Sequence, residues 1–164
     1  VATSTKSAQL QIRVSPAEKA AIQRAARRAG LDMSAYVLGR VLPAAARRFH
    51  DLTTACRDPE AAPFALAELG SWLATLGGGE LADAVAPPPP ALAPYVANYV
   101  AAMVEYACAR HGVAPPVWPR AIAPSTEPVF GSALMSLRLH LLTRSPPPFR
   151  RRNIFIDATV GAHV

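Results

Sequence analysis

The first clear pattern in the chain is strict alternation. Gln9-Leu10-Gln11-Ile12-Arg13-Val14 places polar and apolar residues at every other position, the period of a half-buried strand. Leu10, Ile12 and Val14 share one face, and Gln9, Gln11 and Arg13 the other. The period then lengthens to that of a helix. Ser15-Pro16-Ala17-Glu18 supplies a cap, a first-turn proline and the glutamate of a capping box. An Ala- and Arg-rich helix is expected from there to Gly30, a residue suited to the positive φ that ends helices. Asp32 can cap a second helix with Tyr36, Val37, Leu38, Val41 and Leu42 on its buried side.

A lone strand leaves its backbone N–H and C=O groups without partners, and about forty residues is too little for a stable core. Two chains that pair their strands antiparallel remove both problems, and two-fold closure is the common solution. The paired ribbon would show Gln9, Gln11 and Arg13 twice on one exposed face. A two-stranded ribbon fits the DNA major groove, where Gln can bond adenine and Arg can bond guanine in bidentate fashion.

These residues resemble the ribbon-helix-helix DNA-binding fold of Arc- and MetJ-type repressors and of many antitoxins. The likeness lies in the alternating strand ending at Arg13-Val14, the Ser15-Pro16 start, the Gly30 turn and the Tyr36-Val37 segment. It implies that the backbone N–H groups of Met33 and Ser34, at the start of the second helix, clamp a DNA phosphate. Asp32 stands at the cap where the family usually has Ser or Thr.

Charge sharpens the division of the chain. Residues 1–50 hold nine Lys/Arg against two Asp/Glu, a balance of +7. Residues 51–129 are acidic at −5, and residues 130–164 basic at +4. A basic head suits phosphate attraction, with Lys6 in a flexible N-terminal arm and Arg28 on the first helix as candidate contacts. Lys19, Arg24, Arg27 and Arg28 read equally well as a solvated helix face.

Beyond the head, Pro43 starts a third helix that ends at Arg57-Asp58-Pro59. Phe64, Leu66, Leu69, Trp72, Leu73 and Leu76 recur at helical spacing, and Gly77-Gly78-Gly79 stops that helix as a flexible terminus. No Lys-Ser/Thr follows the glycines, so they are not a phosphate-binding loop. Pro87 to Pro90 form a stiff spacer or a ligand for an aromatic groove. Leu92 to His111 is apolar on more than one face, the sign of a helix buried in its own fold or against another chain. After a Pro-rich stretch, a helix is expected over about 133–143 with Leu134, Leu137, Leu141 and Leu142 as its apolar stripe.

The end of the chain is Pro-broken and basic. Phe149 and Phe155 read as aromatic anchors, Arg150, Arg151 and Arg152 as charge-assisted donors, and Asn153, Ile154 and their neighbours as a strand lacking a partner. An extended segment of this kind can add to another protein's sheet edge. A solvated Arg run or a second nucleic-acid contact are the other readings. Pro128-Val129-Phe130, Ser136-Leu137-Arg138, Leu141-Leu142, Ser145-Pro146 and Phe149 to Phe155 also resemble a C-terminal segment of certain bacterial antitoxins. Those antitoxins are similar to partners of nucleotidyltransferase-like toxins.

Candidate chemistry is sparse. His50, His111, His140 and His163 are scattered, Phe130-Gly131-Ser132 is no nucleophile elbow, and Cys56 and Cys108 lack metal or redox spacing. No enzyme activity, cofactor or metal is expected. No apolar run reaches the length of a membrane span and no signal-peptide core is present, so a reduced cytoplasmic setting is expected.

The expected architecture is therefore mainly α. A dimerising ribbon-helix-helix head (1–50) precedes a helical region (51–112) and an extended, Pro/Arg-rich, partner-binding tail (113–164). The expected function is an antitoxin that binds operator DNA as a homodimer, represses its own operon and neutralises a cognate toxin through the tail. The alternative is a stand-alone repressor whose C-terminal region mediates oligomerisation or effector binding.

Overall fold

The computed structural model describes residues 11–41 and 44–157. Lys6, Gln9, Leu10 and Leu42 lie outside the described residues. The fold is mainly helical, and its contacts divide it into two compact units, 1–44 and 45–164.

The first unit contains α1 (Pro16–Arg28) and α2 (Met33–Val41), packed on each other. Ser15 caps α1: its Oγ accepts from the Glu18 N–H at 3.3 Å, and Glu18 reaches back to the Ser15 N–H at 2.7 Å. That returned bond, with the Ser15 hydroxyl, holds the Glu18 carboxyl below its ordinary range. A lowered folded-state pKa means the contribution is complete above the ordinary carboxylate range and is lost as pH falls through the folded value. The Ser15 amide should therefore show an acid transition in NMR below about pH 4.5. Glu18→Gln should abolish it, and a transition that persists in that variant would refute the assignment. The turn closes at Gly30, with φ +67°, where a side chain would be strained.

The second unit is built on α6 (Pro94–His111). Around it lie α3 (Ala44–Ala55), α4 (Ala62–Thr75), α5 (Gly78–Val85), α7 (Arg138–Arg144) and α8 (Pro147–Arg150). Val100, Ala101, Ala102, Val104 and Cys108 of α6 are fully enclosed, which is why this helix is apolar nearly all round. Leu69, Leu73, Leu81, Val85 and Phe49 close over them.

Several expectations need correction here. Phe49 of α3 belongs to the second unit's core, so the division falls near residue 44 rather than at 50. The glycine triplet does not end in a loose terminus: Gly77 is the N-cap of α5, and Gly78 packs so closely that a Cβ would meet Val113 Cγ2 at 3.1 Å. Of the stripe expected over 133–143, only Leu141 is buried, while Leu134, Leu137 and Leu142 are exposed.

As far as Asp157 the tail is folded into the second unit rather than extended. Pro147 starts the short α8 instead of only breaking a helix, because a first-turn proline needs no N–H partner. The strand β2 (Ile154–Phe155) finds its partner in the same chain. It pairs parallel to β1 (Val129–Phe130), with Val129 opposite Ile154 and Phe130 opposite Phe155. Val129 N donates to Asn153 O and Gly131 N to Phe155 O, both at 2.8 Å. The Phe130 and Phe155 rings stack at 5.1 Å.

Candidate nucleic-acid interface

Both helices of the head start on a side-chain cap, Ser15 and Asp32, but the apolar surface of the head is not covered. Only Ala26 is buried in α1, and no residue is buried in α2. Ile12 is 59% exposed and Val41 67%, with Val14, Leu31, Met33 and Leu38 also exposed. Tyr36 and Val37 are half-buried. The side of α2 expected to be buried is thus largely open: packing on α1 leaves Tyr36 and Val37 half-buried but Leu38 and Val41 exposed. Gln11 to Val14 forms no strand in the single chain. Six exposed large apolar side chains in so short a segment are more than scattered surface residues.

Gln11 and Arg13 are exposed in this segment, at alternate positions beside exposed Ile12 and Val14. Arg28 is exposed in the last turn of α1, with Arg27. At the start of α2, Asp32 Oδ1 accepts the Ala35 N–H at 2.8 Å, as a helix cap should. The Met33 and Ser34 N–H groups have no partner among the described residues. They are free to meet an anion at this helix start, with the Asp32 carboxylate as an opposing charge.

The tail residues are placed differently from their expected role. Phe149 and Ile154 sit in the second unit's core, and Phe155 is buried. Phe149 takes edge-on contacts from Tyr99 at 5.3 Å and Tyr106 at 6.4 Å. Arg152 is only 5% exposed. Its Nε and Nη2 grip Glu105 at 3.4 and 3.2 Å, and Nη2 also donates to Pro119 O at 2.9 Å. Its Nη1 donates to Asn98 Oδ1 at 3.1 Å and to Ile122 O at 3.4 Å. All five guanidinium N–H groups are used inside the chain. Asn153 adopts a left-handed conformation, φ 61°, and its side-chain amide donates to Ser125 O and Thr126 O. Only Arg150 and Arg151 of this run are exposed.

Asn98 and Glu105 were not expected as the partners of Arg152. Their signal was present: both are polar residues of an otherwise apolar α6, and seven positions apart they share one face across two turns. Cys56 and Cys108 are buried free thiols, and burial raises their pKa, so neither is primed as a nucleophile. Among the described residues no group of His, Cys, Asp and Glu is arranged to hold a metal ion, and no helix is long and apolar enough to cross a membrane.

Comparison with known families adds one finding. A family model described as NikA-like, Mobilization protein NikA, matches residues 4–53. The match takes in α1, α2 and most of α3, under a third of the chain. No curated protein and no solved structure matches the chain.

Proposed function

We propose that the chain is a dimeric DNA-binding protein of ribbon-helix-helix type, with a second, helical unit attached to each head. One observation carries the reading. The similarity to a mobilization-protein family covers residues 4–53 and ends where the +7 block gives way to the acidic one. Family likeness and electrostatic footprint thus fall on the same stretch. The open apolar surface of that stretch supports dimerisation: pairing two copies of residues 9–14 would satisfy their backbones and cover Ile12 and Val14. Gln9, Gln11 and Arg13 would then face the major groove from both strands, with Met33 and Ser34 on a phosphate.

The biological setting this favours is mobilization, the role that the matched family's description names. The antitoxin reading has less support, since the Phe149 and Arg152 it needed for a toxin are used within the second unit. One observation still speaks for a protein partner: Leu134, Met135, Leu137, Leu139 and Leu142 are all exposed along one short segment. If a toxin is bound, that segment is the surface offered, and co-expression with a neighbouring toxin-sized product tests it by growth rescue.

The DNA role is tested by fluorescence anisotropy on DNA flanking the chain's own gene. Arg13→Ala should cost roughly 1–3 kcal/mol and relax the preference at one base position per half-site. Arg28→Ala should instead weaken all sequences alike and flatten the salt dependence. Unchanged operator affinity in Arg13→Ala removes the base-reading role, and salt-independent binding removes the phosphate footprint.

A further inference from the structure

The second unit contains a cavity of about 580 Å³, the size of a small-molecule site. Its origin lies in a mismatch between two facing helix surfaces. The α4 wall is a row of small residues at helical spacing, Ala67, Gly70, Ser71 and Ala74. Nothing on that row is long enough to fill the space in front of it. At Gly70 the helices come close: a Cβ there would stand 3.1 Å from Met103 Cε. The α6 wall is aromatic, with Tyr95, Tyr99 and Tyr106, and Phe149 of α8 also lines the space.

The polar groups of this cavity are underused. The three tyrosine hydroxyls make no hydrogen bond with the described residues. Burial raises the pKa of Tyr95 and Tyr99, which keeps them neutral donors. Two lining groups carry full charge, Arg110 and Asp157. Asp157 is paired with His140 at 3.0 Å. Arg110 rests over the Tyr106 ring at 5.9 Å and has no carboxylate partner among the described residues. The lining therefore combines an apolar, aromatic body, a cation without a carboxylate partner at Arg110, hydroxyl donors, and a carboxylate, Asp157, that is held by the His140 imidazole.

We propose that this cavity binds a small amphipathic anion, its flat apolar body between α4 and α6 and its single acidic group on Arg110. The proposal stands apart from the DNA-binding reading, since every lining residue belongs to the second unit. The probe is anilinonaphthalene sulfonate, an aromatic monoanion that brightens in apolar sites, added to the full chain. Phenylnaphthylamine serves as its neutral counterpart. Saturable binding of one sulfonate per chain is expected. Arg110→Gln should weaken the sulfonate about tenfold and leave the neutral probe within about twofold, the difference expected of a charge-assisted contact. Ser71→Phe, which fills the space, should weaken both. Leu139→Ser, on the exposed surface of α7, should change neither. Equal affinity for the sulfonate in wild type and Arg110→Gln overturns the proposal, as does loss of both probes in Leu139→Ser, which would mean adsorption to the exposed leucines. Should Ser71→Phe fail to fold, Arg110→Gln at its exposed position still decides.

Discussion

Arg152→Ala is expected to destabilise the second unit by about 3–5 kcal/mol, the cost of breaking a buried ion pair by removing one partner. The side chain is a cross-link between the C-terminal segment and α6. Its loss strands the Glu105 carboxylate, whose side chain is only 17% exposed, and leaves Asn98 Oδ1 and the Ile122 carbonyl without the Arg152 donor, while the Pro119 carbonyl keeps only the Ile122 N–H. A buried acceptor without a donor bears its full desolvation cost. Arg152→Lys should recover only part of the loss, because an ammonium cannot serve a carboxylate, an amide and two carbonyls from one planar fork. Both tryptophans, Trp72 and Trp118, lie in the second unit, so urea unfolding followed by their fluorescence reports on it alone. Arg150→Ala and Arg151→Ala, at exposed positions, should stay within about 0.5 kcal/mol of wild type. An Arg152→Ala protein with the wild-type urea midpoint would show that the cluster is dispensable. The same comparison separates two roles for the Arg run, since a residue reserved for a partner would weaken a complex without shifting that midpoint.

Ile12→Pro is expected to abolish the dimer and with it specific DNA binding. In the proposed ribbon the Ile12 N–H is a ladder donor, and proline removes it while forcing φ near −65°. The head has Ala26 as its one buried apolar residue among those described, so little remains to keep two copies together. Light scattering should show the mass of the wild-type protein halved. DNA affinity should fall on the order of a hundredfold or more, since two half-sites are no longer engaged together. Tryptophan-detected unfolding of the second unit should be unchanged, which distinguishes a local effect from general misfolding. A wild-type chain that is monomeric at working concentration yet binds DNA at full affinity would end the ribbon hypothesis.

Local signals were readable wherever the determinant was itself local. The α1 start at Ser15-Pro16-Glu18 and the turn at Gly30 depend on side chains within a few residues of the backbone they serve, and the structure has both where the sequence places them. The apolar α6 was legible because its residues are apolar on more than one face, which registers burial on all sides directly. Charge blocks were legible because formal charge is additive along the chain. The alternation at 9–14 was legible as a pattern, but a pattern does not pair: Gln11 to Val14 forms no strand in the single chain, and the proposed ribbon needs a second molecule.

Contacts between distant segments were decided by tertiary structure alone. Phe149, Arg152, Ile154 and Phe155 have the composition of an interface hot spot, and that composition serves a protein's own core equally well. What determines their role is whether a complementary surface exists nearby, and α6 provides one in Glu105, Asn98 and Tyr99. The strand at 154–155 looked unpartnered because a parallel partner lies 25 residues upstream, beyond any local signal. Likewise the cavity depends on α4 lying along α6 so that a small row meets an aromatic row. Each row is visible in the sequence, but the space between them exists only once the helices are packed.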